Sequence, residues 1–323
     1  MRLSLKFIAG AVMAACLGLA PASAQDYPTR SITIVAPFAA GGSVDVAARI
    51  FAEAMSRSLG QPIQIENIGG AGSILGAQRV ATAAPDGYTI LYNSSNLVLN
   101  LSLYAKLDYD LFKDFDPIAL TATGPQVLGV TKSLPVENFT DFVEYARAHP
   151  GEMSFPSSGP GNITHIMCEM LMSEIGSSAA HIPYQGGASQ YPDLISGRTH
   201  FAMASASSMI PFHQNGELRI LAVTSEQPIP QLPGVPTFAE LGYPNMTVGA
   251  WQGLLAPAGT PPEIIAKLEK AANDAAADPK VIEALGRHGL IPFPSTAEKY
   301  GEFLASEAKR WGPIMTSMGI QPQ

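Results

Sequence analysis

The sequence predicts an α/β protein of two lobes, hinged as a clamshell. Three observations carry this. Short β-branched runs alternate with helical patterns of about 10 to 20 residues. Two apolar stretches read as crossings between lobes: residues 119–130, with an embedded Gly124-Pro125, and residues 248–255, which follow the Pro-rich 228–244. Helical patterns at 261–277, 279–288 and 296–318 then return to the first lobe. The implied division places residues 25–125 and 249–323 in a discontinuous first lobe and 126–248 in the second.

Taken in order, residues 31–37 read as a strand, because Ile32, Ile34 and Val35 suit a pleated, buried surface. A Pro and a Gly pair stop it, and residues 44–59 follow as a helix that Gly60 ends. Residues 63–66 form the next strand, 74–83 a helix, and 88–92 a strand entered through the Pro-Asp-Gly turn at 85–87. Beyond the first crossing come a strand at 127–130, a helix at 140–149 and a strand at 154–156. A helix at 164–175, a strand at 181–183, a helix at 190–195 and strands at 201–204 and 218–223 complete the second lobe. This alternation predicts a parallel sheet.

Residues 1–24 are set apart from the fold. Arg2 and Lys6 give a basic start, residues 7–19 an apolar run and Ala22-Ser23-Ala24 a small-residue cleavage site, which together read as a secretory leader. The apolar run is short of the roughly 20 residues a membrane helix needs. Cys16 leaves a lipid anchor as the alternative, against a poor lipobox at Met13-Ala14-Ala15. The mature chain then keeps a single cysteine, Cys168, so export without a disulfide suggests a periplasmic protein stabilised by its core. The net charge is -8 with the leader and more negative without Arg2 and Lys6. An acidic chain with no run of Lys or Arg excludes nucleic acid and anionic membrane surfaces as natural partners. A small anion is still allowed, since local dipoles can oppose the overall charge.

The first strand-to-helix loop, Phe38-Ala39-Ala40-Gly41-Gly42-Ser43, puts its amides at a helix N-terminus, where unpaired N-H groups and the dipole favour an anion. Gly41 and Gly42 permit close backbone approach, Ser43 reads as an N-cap and Asp45 sits in the first turn. A turn that only caps its helix is the plain alternative. No Gly-Lys-Ser/Thr follows, so this is no P-loop. Residues 66–76 imitate a dinucleotide fingerprint through Gly70, Gly72 and Gly76, but on the second strand and without the acidic residue about 20 positions on. Ser157-Ser158-Gly159-Pro160-Gly161-Asn162-Ile163-Thr164-His165 repeats the opening logic in the second lobe, again with a capped surface loop as the alternative. Residues 92–96, 183–187 and 204–208 also end strands, where open α/β sheets place ligands. Their Ser, Asn, Tyr and Gly describe a site that binds without acid-base work.

No Gly-x-Ser-x-Gly elbow, His-Glu-x-x-His or metal-spaced His pair occurs, so neither a metal nor a cofactor is expected and no catalytic residue is assigned. The rival reading is a secreted hydrolase using Ser158 and His165, which needs an acidic orienter. Cys168, within an apolar helix, reads as core.

Over essentially the whole mature chain the sequence resembles the Bug-type substrate-binding receptors of tripartite tricarboxylate transporters. The resemblance runs through residues 34–45 (IVAPFAAGGSVD), 66–76, Pro85-Asp86-Gly87-Tyr88-Thr89, the Ser-Ser-Gly loop to His165, residues 181–186 (HIPYQG), 218–225 (LRILAVTS), 232–237 (LPGVPT) and 251–261 (WQGLLAPAGTP). It implies a type II periplasmic-binding-protein-like fold with a two-stranded hinge. It also implies a monomer that closes on a carboxylate and delivers it to a cation-coupled permease. By the same resemblance Phe38, Ala39, Gly42, Ser43 and Asn93 anchor one carboxylate while Asp45 orders the loop. Ser158, Gly159, Asn162, Thr164, His165, Tyr184, Ser205 and Ser207 meet the distal end. The chain departs from the family at His200, where an Asp is usual, and at Pro160. Phe38, with Met203 and Ala204 near the cleft, suggests a dicarboxylate with an apolar body, an aromatic one such as terephthalate included; aliphatic di- and tricarboxylates and an acidic amino acid stay open. If His165 reaches the distal carboxylate, binding should tighten at mildly acid pH.

Overall fold

The computed structural model describes residues 27–184, 188–247 and 249–317. The expected leader, residues 185–187 of the loop after the 181–183 strand, and Val248 at the second crossing lie outside the described residues. In chain order the first elements are β1 (Ile32–Ala36), α1 (Ser43–Leu59), β2 (Ile63–Asn67), α2 (Ile74–Ala81), β3 (Thr89–Ser94), α3 (Asn96–Leu103) and β4 (Phe115–Thr131). There follow α4 (Phe139–Ala148), β5 (Ser154–Ser157), α5 (Ile163–Glu174), β6 (Ala180–Pro183), α6 (Tyr191–Ile195), β7 (Phe201–Ser205), α7 (Ala206–Gln214) and β8 (Leu218–Val223). The chain closes with β9 (Gly249–Pro257), α8 (Pro262–Ala277), α9 (Pro279–Arg287), β10 (Ile291–Pro292) and α10 (Ala297–Ser317).

The strand β4 organises the molecule. Its first part, from Phe115 to Pro125, pairs antiparallel with β9, and its second part, from Gln126 to Thr131, lies between β7 and β8. The partner exchange falls between Pro125 and Gln126. One sheet has the order β10-β4-β9-β3-β1-β2, with β1 parallel to β2 and β3 while β9, β4 and β10 join by antiparallel pairs. The sheet is therefore mixed rather than parallel as the alternation predicts: the return strand β9 enters beside β3 from the opposite direction. β5 and β6 pair in parallel, and the His200 amide donates to the Ser154 carbonyl at 2.8 Å, tying β5 to the start of β7.

Helices cover both faces of the first sheet. One face buries Ile34, Phe51, Met55, Tyr92, Leu254 and Leu268, and the other buries Leu91, Leu97, Leu255, Trp251, Tyr300 and Trp311. The second lobe buries Phe142, Phe155, Met167 and Phe201 on one side and Leu194, Met209 and Ile220 on the other. Cys168 is fully buried in this core and accepts from the Met203 amide at 3.2 Å. Two helices were not expected. α3 is apolar nearly all round, so it lacks the 3.6-residue alternation, and α7 begins in Ala206-Ser207-Ser208 and contains Pro211, which read as loop chemistry. Among the described residues no helix is long and apolar enough to cross a membrane.

Gly253 shows how tightly α10 seats on the sheet. A Cβ there would lie 2.5 Å from the Tyr300 ring, so the absent side chain is what admits that ring. Replacing Gly253 with Val overpacks this contact and should cost about 1–3 kcal/mol. Urea unfolding should show a lower midpoint at an unchanged slope.

Candidate functional site

The loop between β1 and α1 leaves Ala39, Ala40, Gly41, Gly42 and Ser43 exposed, while Phe38 is half-buried against the core. Gly42, not Ser43, is the N-cap of α1, and Ser43 is the first helical residue. The first-turn amides of α1 have no partner within the helix and point into this loop. Gly41 holds a φ of 83°, which only glycine adopts without strain. Its amide donates to Asp45 Oδ2 at 2.8 Å. The Asp45 carboxylate, 2% exposed, also accepts from Arg49 Nε at 3.0 Å and Asn67 Nδ2 at 2.8 Å. Burial alone would raise its pKa, but the hydrogen bonds from Arg49, Gly41 and Asn67 and the Arg49 charge outweigh that and lower it. Asn67 also donates to the Phe38 carbonyl at 3.1 Å, so a side chain from the end of β2 braces both ends of the loop.

A second set of contacts reaches the loop from beneath. Thr121 Oγ1 donates to Tyr92 Oη at 2.8 Å, Tyr92 Oη donates to Gln252 Oε1 at 3.3 Å, and Gln252 Nε2 donates to Ser43 Oγ at 3.2 Å. Thr121, Tyr92 and Gln252 are buried, whereas Ser43 is exposed. At the carboxyl end of β3, Asn93 is fully buried; its Oδ1 accepts from the Ser94 amide at 2.7 Å, and its Nδ2 has no partner among the described residues. An amide donor buried without a partner costs about 1–3 kcal/mol, so Asn93 is a position where an added acceptor is stabilising.

The loops of the second lobe face this edge. Leu103 of α3 lies against Gly161, and Gly289, just after α9, lies against Ser207. In the β5–α5 loop Asn162 caps α5 by accepting from the Thr164 amide, and the Thr164 hydroxyl donates to Asn162 Oδ1 and accepts from the Ser158 amide at 3.0 Å. Gly159 hydrogen-bonds through its own amide and carbonyl to the buried Ser157 hydroxyl. Tyr184 directs its hydroxyl to Asp193 at 2.6 Å, and Arg198 holds the other carboxylate oxygen. Ser205 and Ser207 share a hydrogen bond at 2.7 Å.

His165 stacks on His181 with ring centroids 3.8 Å apart, and Phe155 continues the stack. Its Nδ1 accepts from the Gly161 amide at 3.1 Å, which leaves the proton on Nε2, 3.8 Å from Glu169. Burial, and then the neighbouring His181, lower its pKa to about 4. The charge gain expected at mildly acid pH is therefore absent in this arrangement. No hydrogen bond joins Ser158 to His165, so the hydrolase reading lacks its dyad. Serine–histidine contacts form elsewhere: Ser157 Oγ lies 2.6 Å from His181 Nε2, with Ser157 fully buried and out of reach of a substrate, and Ser154 Oγ lies 3.2 Å from His200 Nδ1.

Other expectations change as well. Met203 and Ala204 do not line a cleft: both are buried, and because β7 is covered on both faces, successive side chains enter two different cores. His200 is a packing residue whose Nδ1 accepts from the Ser154 amide at 3.0 Å. The glycine-rich 66–76 segment runs from the end of β2 through a 3-10 turn at Ala71–Ser73 into α2; Ala71 and Ser73 both hold positive φ, and the buried Asn100 braces the turn by donating to the Gly72 carbonyl at 2.9 Å. Gln252 and Asn67 are the residues sequence reasoning missed around the β1–α1 loop. Gln252 stands beside Trp251 in a segment quoted only for resemblance, and a single chain gives no sign that a residue 209 positions on reaches Ser43. Among the described residues no group of three His, Cys, Asp or Glu side chains could hold a metal.

Two α/β lobes on a shared strand, with amide-rich loops facing each other, define a solute-binding protein of the periplasmic type. Residues 47–320 match the tripartite tricarboxylate transporter family receptor, and the chain belongs to that family. It is 34% identical over 304 residues to protein BugT of Bordetella pertussis, covering 94% of this chain and 93% of that one. Among solved structures, an R. palustris protein with adipate superposes with a TM-score of 0.82 at 32% identity, covering 92% of this chain and all of the other. MatC from Rhodopseudomonas palustris with bound malate gives 0.77 at 32% identity, covering 89% of this chain and 99% of the other. The family is one of receptors.

The His165 environment makes a pH prediction. The folded pKa lies below the ordinary 6.5, so the folded protein binds fewer protons than the unfolded chain between those values. Stability is fully present above pH 6.5 and falls as pH is lowered towards 4. In urea unfolding at pH 7 and pH 4.5, His165→Gln should lose less stability than the wild type over that interval.

Proposed function

We propose that the chain is a periplasmic receptor, exported by cleavage after residue 24, that closes its lobes on a small dicarboxylate and passes it to the permease of a tripartite tricarboxylate transporter. The first lobe comprises residues 25–125 and 249–323 and the second 126–248, with β4 and β9 as the hinge, and the protein acts as a monomer. One carboxylate sits against Phe38, Ala39, Gly42, Ser43 and Asn93, in a loop held in shape by Asp45. The second lobe meets the other end with Ser158, Gly159, Asn162, Thr164, His165, Tyr184, Ser205 and Ser207. The observation that carries this reading is the conjunction of an exposed amide loop at the N-terminus of α1 with the buried, unpartnered amide of Asn93. Both offer neutral donors to an anion, and the relatives solved with adipate and malate support a dicarboxylate. With Met203 and Ala204 in the core, only Phe38 is left to favour an aromatic body, so aliphatic dicarboxylates are the better match.

A thermal-shift screen of adipate, malate, terephthalate, citrate and ATP at pH 7.5 tests this. Adipate or malate should raise the melting temperature and ATP should not; a shift with ATP alone would overturn the reading. Gly42 has extended backbone, and a Cβ there meets only the Ala39 carbonyl oxygen at 3.4 Å, so Gly42→Val is compatible with the fold. It should retain the wild-type melting temperature without ligand and lose at least tenfold in affinity by calorimetry.

A further inference from the structure

We infer that Gln252, a residue of the hinge strand β9, is a positioning residue that sets the direction of the Ser43 hydroxyl, so that Ser43 donates its proton towards the carboxylate. This rests on the carboxylate-receptor reading above. The argument is one of proton counting. A serine hydroxyl has one proton to give and two lone pairs to offer. In the structure Gln252 Nε2 fills one lone pair of Ser43 from inside the protein, at 3.2 Å. With that direction taken by a donor, the Ser43 proton is directed outwards, on the exposed side of the residue.

The orientation of the Gln252 amide is itself held from below. Its Oε1 accepts from Tyr92 Oη at 3.3 Å, and Tyr92 Oη in turn accepts from Thr121 Oγ1 at 2.8 Å, a hydroxyl whose one proton is shared with the Gln252 carbonyl at 3.0 Å. The chain of donors runs one way, from Thr121 through Tyr92 and Gln252 to Ser43, and every member but the last is buried. Turned by 180°, the Gln252 amide would present Oε1 to Ser43 and draw its proton inwards. Ser43 would then offer a lone pair to an anion and repel it. The two orientations predict opposite roles for one hydroxyl, which makes the arrangement testable.

Gln252 also stands opposite Ser94 in the β3–β9 ladder, one residue beyond Asn93. The strand that carries the relay is thus the strand that flanks the buried Asn93 amide.

The test is a double-mutant cycle read by calorimetry with adipate and malate at pH 8. Gln252→Glu places an ionised acceptor below Ser43 and so forces the inward orientation. Its added charge weakens anion binding on its own account, and the Ser43→Ala background subtracts that part. The expected result is at least a tenfold loss for Ser43→Ala, and a Gln252→Glu penalty several-fold larger with Ser43 present than with alanine there. Equal penalties in the two backgrounds would overturn the inference while leaving the receptor reading intact. If neither ligand binds the wild type, the receptor reading fails and this inference with it. Should Gln252→Glu not fold, Gln252→Met removes the inward donor without charge. Its loss of affinity should likewise shrink in the Ser43→Ala background, and an unchanged loss would overturn the inference.

Discussion

The structure depends on one strand serving two sheets. β4 satisfies its backbone groups with β9 up to Pro125 and with β7 and β8 from Gln126 onward. A strand in extended conformation cannot bend sharply without losing ladder bonds, so this continuity fixes where the two lobes face each other. It also decides which loops meet. The carboxyl ends of β1 and β3 come to one side of the gap, and the β5–α5 loop and the start of α7 to the other. The contacts of Leu103 with Gly161 and of Gly289 with Ser207 follow from that geometry.

The second constraint is electrostatic. The chain is acidic, and its opening loop carries a buried carboxylate, Asp45, within the very turn offered to an anion. That charge would repel a ligand if it stood alone. It does not: Arg49 lies 2.9 Å from one oxygen, and Gly41 and Asn67 donate to the group. The cation is spent on the protein's own carboxylate, outside the exposed run of residues 39–43, and what faces outward is the amide edge of the loop. Preorganised amides bind an anion through short-range hydrogen bonds. In the receptor reading, a site made this way releases its ligand more readily than one built on a desolvated ion pair.

Local chemistry was legible in the sequence, and long-range chemistry was not. Gly41 and the strand-to-helix alternation announced the β1–α1 loop, and apolar neighbours announced the buried Cys168. The same rules failed for α3, whose Leu97, Val98 and Leu99 are all buried and leave no polar stripe to mark a helix. Met203 and Ala204 were placed at a cleft because they end a strand. Only Ser205 sits far enough along β7 to leave the core. His165 reads in the sequence as a group that gains charge at mildly acid pH, because the sequence shows neither its burial nor the His181 ring stacked on it. Gln252 was invisible for the opposite reason: its partner lies in another segment, and only the fold brings them together.

The second lobe shows what this implies for selectivity. Thr164 uses its hydroxyl and its amide within its own loop, Tyr184 gives its proton to Asp193, and one of the two hydroxyl protons of Ser205 and Ser207 is used between them. Donors already engaged cannot turn to a ligand without losing a bond, so each offers a net gain smaller than that of a free group. The unpartnered Asn93 amide on the first lobe pays no such exchange. In the receptor reading, affinity therefore comes mainly from the first lobe, whose cradle takes any carboxylate. The second lobe discriminates by which of its internal bonds a ligand of given length and shape can replace. Ligands that cannot replace them leave buried polar groups unpaired, and that penalty, rather than an added attraction, separates one dicarboxylate from another.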